Sequence, residues 1–159
     1  MKRFYLITML LCLCAIGAQA QTPKPTPTPD PPTTPGQVWR VTYYKIKPGK
    51  GMEYSKYVRE HTKPILDEQK KQGLILDYKY FSQPTNDGPN DWDVAQLLMF
   101  RNYAEALDFN EERSKKLNEI GLKHYGTAEA RTKATDSLRD LRDVLSSHLV
   151  REQILNPIK

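Results

Sequence analysis

Between Thr22 and Gly36 the chain reads TPKPTPTPDPPTTPG, seven prolines in fifteen positions. That run decides how much of the 159 residues can build a core. Proline holds φ at about −65° and offers no backbone N–H, so a segment this dense joins neither a helix nor the middle of a sheet. The expectation is an extended polyproline-II spacer of about 3.1 Å per residue, on the order of 45 Å at full reach. A stalk that holds a domain clear of a surface is one reading; a ligand for a proline-recognising partner is the sharper alternative.

The residues before the spacer have their own pattern. Lys2 and Arg3 are followed by an apolar run from Phe4 to Ile16, and Ala18-Gln19-Ala20 supplies small residues at a cleavage site. This is the layout of a secretory signal peptide, with cutting expected after Ala20 and a mature chain that is secreted or periplasmic. The run is too short for a bilayer span, which takes about 20 apolar residues, so no transmembrane anchor is expected in the mature chain. Both cysteines, Cys12 and Cys14, fall inside the leader, each preceded by a leucine where lipid attachment wants a small residue. The mature protein is therefore expected to have no disulfide, thiolate nucleophile or cysteine metal ligand.

The organisation reads as a leader over 1–20, a Pro/Thr-rich linker over 21–36 and one domain over 37–159. Loss of the leader leaves 22 basic side chains against 19 acidic ones, a balance of +3 from the +5 of the whole chain. That surplus is spread thinly, whereas nucleic-acid binding calls for a concentrated basic patch; no nucleic-acid partner is expected. The runs around Arg131–Lys133 and Ser137–Asp143 alternate in sign and read as a solvated helix face.

Within the domain, Val38–Lys47 is rich in β-branched and aromatic residues and stops at Pro48-Gly49, a strand with Trp39, Val41 and Tyr43 on one face and Val38, Thr42, Tyr44 and Ile46 on the other. Met52–Gln72 carries Tyr54, Tyr57, Val58, His61, Ile65 and Leu66 at helical spacing, with Pro64 expected to kink the axis or restart it from a cap at Thr62. Leu74–Ser82 and Asp91–Phe100 read as strands joined by a turn-rich connection. Asn102 with Glu105 forms a capping box that opens a helix running on through Asn110 and Ser114 to Leu117. Gly121 and Gly126 are expected to loosen the chain, Thr127 to open a further helix that includes Leu145, and Ser147–Leu155 to form the last strand.

The order β-α-β-β-α-α-β is, but for one helix, the split βαβ or ferredoxin-like arrangement: an α+β domain whose four-stranded antiparallel sheet has helices on one face. Its strands nevertheless carry apolar residues on both faces, and the simplest cover for the helix-free face is a second copy, making a homodimer.

The stretch from Arg40 to Lys50 (RVTYYKIKPGK), followed by Glu53-Tyr54 and Pro64, resembles the opening of dimeric α/β-barrel proteins of the NIPSNAP-like and antibiotic-biosynthesis-monooxygenase-like kinds. The resemblance covers roughly residues 38–110. It implies two sheets face to face in a homodimer, with a pocket between each sheet and its helices. Activities across that superfamily include cofactor-free oxygenation, haem binding or degradation, and isomerisation. The Asn, Trp and His set of the haem-degrading members has no residue-by-residue match here, so no catalytic role carries over.

Among residues able to do chemistry, His61 stands out because its stripe should turn it toward the sheet, as a general base or ligand in the pocket or as a packed, hydrogen-bonded histidine. Tyr43, Tyr57, Tyr78 and Trp92, together with Trp39 and Tyr80, are aromatic candidates for a pocket wall or for core. Arg40 could orient an anion or pair with Glu152. Asp91 and Asp93, with Asp87 nearby, could hold a cation or serve the turn. His124 and His148 lack partners at ligand spacing, so neither a metal nor a cofactor is expected. The sequence thus points to an exported dimeric domain that binds a small apolar or aromatic molecule. If it is an enzyme, its activity is at most of the cofactor-free monooxygenase or isomerase kind. A non-catalytic module on a stalk and a haem-binding protein are the alternatives.

Overall fold

The computed structural model describes residues 31–85, 88–89 and 91–157; the leader, the spacer up to Asp30, and Asp87 lie outside them. Four strands form one antiparallel sheet in the order β2-β3-β1-β4. They are β1 (Thr33–Ile46), β2 (Asp77–Ser82), β3 (Val94–Phe100) and β4 (Arg142–Leu155). Helices α1 (Gly51–Tyr57) and α2 (Lys63–Lys71), joined by a π-helical turn over Val58–Thr62, lie between β1 and β2. Helices α3 (Tyr103–Leu107), α4 (Glu111–Tyr125) and α5 (Ala128–Leu141) lie between β3 and β4. The molecule is an α+β, ferredoxin-like domain, and among the described residues no helix is long and apolar enough to cross a membrane.

Register decides which side chains face the helices. Val38 pairs with Phe100, Arg40 with Leu98 and Leu149, and Tyr78 with Leu98. Paired residues share a face, and these meet Leu66 of α2, Ile75 and Ala106 of α3 in the core. Phe100 and Val38 are its most enclosed side chains, at 2 % and 0 % exposure. Each stabilises the fold by about 1.5–3 kcal/mol through apolar area removed from water. The opposite face carries Trp39, Val41 and Tyr43 of β1, Leu97 and Met99 of β3, Phe81 of β2 and Val150 of β4. The expected division of the first strand's faces holds.

Several boundaries differ from the sequence expectation, each for a local reason. The first strand begins at Thr33 rather than Val38, because Thr33, Thr34 and Pro35 pair with Leu155, Ile154 and Gln153 at the sheet's edge. Proline is tolerated there beside a register shift between Pro35 and Val38. The last four residues assigned to the linker therefore belong to the sheet, and the compact unit starts at Pro31. Pro64 lies at the start of α2, but Thr62 caps nothing; its backbone is helical and the irregularity is a wider π turn, in which Lys63 N–H reaches the Val58 carbonyl. The helix expected from Asn102 to Leu117 is two helices. Asn102 caps the first through Glu105 N–H, and Asn110, placed by periodicity on the inner stripe, instead caps the second through Arg113 N–H.

Gly121 is not a loosening point. It is buried inside α4, where a Cβ would stand 3.2 Å from the Arg131 guanidinium on α5, so its small size lets the two helices approach. Gly126, at φ +82°, ends α4, and Thr127 caps α5 as expected. That helix stops at Leu141, and Leu145 lies in β4, which starts five residues earlier than the sequence indicated.

Candidate functional site

The residues proposed from sequence do not converge on one place. His61 lies on the π turn and faces α4, not the sheet. Its Nδ1 is 3.1 Å from His124 Nε2, and its ring packs against Tyr57 and Tyr125 at centroid distances of 4.8 and 5.5 Å. Tyr57 donates to the Ala134 carbonyl at 2.9 Å and meets the Tyr125 hydroxyl at 3.2 Å. Burial, with Tyr125 adding to it, raises the Tyr57 phenol well above its ordinary value. Burial and then the neighbouring His61 lower His124. This cluster joins three helical segments; its polar atoms largely bond one another.

Tyr43 and Trp92 meet on the helix-free face, rings 5.3 Å apart, with His148 at 6.3 Å from Tyr43. Trp92 precedes β3 rather than lying in it. Tyr78 faces the helices and donates to Asp67 on α2 at 2.6 Å. Arg40 does not pair with Glu152; its guanidinium donates to the Ala106 carbonyl and lies over the Phe100 ring at 5.4 Å. Asp91 accepts from Gln83 and from Trp92 N–H, and Asp93 from Ile46 N–H and Lys45, which is turn and strand-entry chemistry.

A cleft does open between sheet and helices, in a different place. A cavity of about 310 Å³ is lined by Tyr54, Ser55, Val58 and Arg59 from α1 and the π turn, and by Tyr80, Phe81, Ser82 and Val94 from the β2–β3 edge. The four helical residues fall at i, i+1, i+4 and i+5, one helix face. Beneath them runs a chain of polar contacts. Tyr44 donates to Gln96 at 2.8 Å, and Gln96 donates to the Tyr80 hydroxyl at 2.7 Å. Arg142 stacks on the Tyr44 ring at 3.5 Å and donates to the Tyr54 hydroxyl at 3.4 Å.

Burial raises the pKa of both Tyr54 and Tyr80; Arg142 opposes the rise at each, and at Tyr80 the nearby Tyr54 and Tyr44 add to it. Both phenols are thus neutral donors. Each hydroxyl oxygen accepts from the network below, and neither hydrogen has an acceptor among the described residues. If the Gln96 amide were turned over, the spare donor would pass from Tyr80 to Tyr44, so one remains either way. Such a lining, aromatic rings and valines with hydroxyl side chains among them, suits a small molecule carrying a hydrogen-bond acceptor.

Sequence reasoning places Tyr54 on the inner stripe and Tyr80 among the aromatics without joining them. Arg142 is hidden from it because that stretch reads as helix rather than strand. The legible signal is the pair Tyr44 and Tyr54, ten residues apart on the inner faces of a strand and the helix after it.

No protein-family model matches the chain, and no curated protein matches it by sequence. Solved structures do. A NIPSNAP family protein from Agrobacterium tumefaciens str. C58 is 22 % identical, over 73 % of this chain and 90 % of that one, with a TM-score of 0.45. A dimeric protein of unknown function and ferredoxin-like fold from Bacteroides fragilis NCTC 9343 is 15 % identical, over 75 % and 97 %, with a TM-score of 0.41. A dimeric ferredoxin-like protein from an uncultured marine organism is 9 % identical, over 78 % and 92 %, with a TM-score of 0.40.

Proposed function

We propose that this is an exported, homodimeric small-molecule-binding domain whose ligand occupies the cleft between the first helix and the β2–β3 edge. The cleft itself carries the reading. At about 310 Å³ it lies near the lower end of the roughly 300–1,000 Å³ range of small-molecule sites. Its apolar walls are Val58, Val94 and the rings of Tyr54 and Tyr80. His61 lies outside this lining and serves helix packing. The leader ending at Ala20 supports export, and mass spectrometry of exported protein is expected to show Gln21 as the first residue.

Binding is tested with Nile red, a neutral dye whose emission rises in apolar surroundings. Val58→Trp fills the cleft from its wall and should abolish the rise, with little change in the melting temperature. Dye emission that is the same in the two proteins would remove the cleft as the site.

A further inference from the structure

We propose that the polar end of the ligand is a carboxylate, which makes the ligand an amphipathic monoanion with an apolar body. This rests on the cleft being the ligand site and adds the charge of the molecule that enters it. Every polar side chain lining the cavity is a hydroxyl or a cation: Tyr54, Ser55, Arg59, Tyr80 and Ser82. No acidic side chain lines it. Arg59 is exposed at the rim and has no carboxylate partner among the described residues. Behind the phenols lies a second guanidinium, that of Arg142, half-buried between the Tyr44 and Tyr54 rings and likewise without an acid.

Other cations of the domain divide: Lys45, Lys70, Arg101 and Lys116 pair with Asp93, Asp77, Glu105 and Glu112, whereas Arg40 and Arg113 are spent on backbone carbonyls and the Phe100 ring. One guanidinium at the rim, a second behind the wall and a spare phenol donor, with no acid in the lining, make a field that favours an anion and disfavours a cation. A carboxylate uses this set best, because its two oxygens can take the Arg59 fork and a phenol hydrogen together. The apolar walls take the hydrocarbon.

The test displaces Nile red from the full mature chain with three probes of one length: octanoate, 1-octanol and octylamine. Octanoate is expected to displace about tenfold better than octanol, the gain of a charge-assisted contact over a neutral one, and octylamine worse than either. Added salt should narrow the gap between octanoate and octanol. In the double variant Arg59→Gln with Tyr80→Phe, octanoate should lose its advantage and fall to the level of octanol measured in the same variant. Equal displacement by all three probes, with Val58→Trp still blocking the dye, would overturn the carboxylate and leave the cleft standing. Dye emission indifferent to Val58→Trp would remove both.

Discussion

His61 and His124 meet nitrogen to nitrogen at 3.1 Å, a contact that needs one ring to donate and the other to accept. Doubly protonated, the pair has two donors facing each other. Burial and the neighbouring ring hold His124 below its ordinary 6.5, and Tyr57, Tyr125, Glu68 and Lys123 are the other polar groups around the pair. Linkage sets the sign: the unfolded chain binds a proton more readily than the folded one, so stability is full above about 6.5 and falls as pH drops toward the folded value. The carboxylates with lowered values, among them Asp67 and Glu112, begin to contribute only near their own range around 4. The melting temperature should therefore decline between pH 7 and pH 5, and His124→Gln should flatten that decline; an unchanged slope would contradict the pair as its source. Nearby, Tyr57→Phe removes the bonds to Ala134 and Tyr125 and should cost about 1 kcal/mol in urea denaturation. The helical stripe does mark His61 as inward, but the π turn holds one more residue than an α turn and rotates the residues beyond it, so the ring meets α4 instead of the sheet. A phase slip of that kind leaves no trace in periodicity except Pro64 itself.

At the scale of elements, strand pairing is legible in the sequence and helix ends are less so. Alternation in Val38–Lys47 gives both faces of β1 correctly. The break between α3 and α4 escapes periodicity because Tyr103, Ala106, Leu107, Asn110, Ser114 and Leu117 keep helical spacing straight through it, while Asn110 adopts extended backbone to cap α4. Replacing that asparagine removes the acceptor for Arg113 N–H; Asn110→Ala should lower stability by about 1 kcal/mol with an unchanged denaturant slope. The N-terminal end of β1 shows a different limit. Proline content argues against a sheet, but an edge ladder far along the sequence supplies pairing that local composition does not reveal. Asn156 closes the same corner, bonding Thr34 through its side chain and Pro32 through its backbone N–H. A chain that begins at Gln37 should melt several degrees below one that begins at Pro31, whereas trimming from Gln21 to Asp30 should leave the melting temperature unchanged. Equal melting of the two shorter chains would mean the Thr33–Pro35 ladder adds nothing.

For the whole molecule, the decisive fact is that the helices cover one face of the sheet and leave Trp39, Val41, Tyr43, Leu97, Met99 and Val150 on the other. Val150 is 46 % exposed and Phe81 50 %, and the outer strand adds Ile154 at 49 %. Scattered apolar residues are ordinary on a surface, but a contiguous sheet face of this kind is the mark of an interface. A second copy would cover it without exposing a new patch, since a two-fold contact sets the same surface against itself. The cleft opens on the helical side, so such pairing leaves it accessible, and binding and assembly can be separated by substitution. Val150→Lys places a charge on the helix-free face, away from Tyr54, Val58 and Tyr80. At micromolar concentration the parent should sediment at twice the chain mass and the variant at the chain mass. Nile red should still report the cleft in both. The parent's unfolding midpoint should also rise with protein concentration, as expected where association is linked to folding, and the variant's should not. A parent that stays monomeric, with a midpoint independent of concentration, would leave the apolar face without a second copy to explain it.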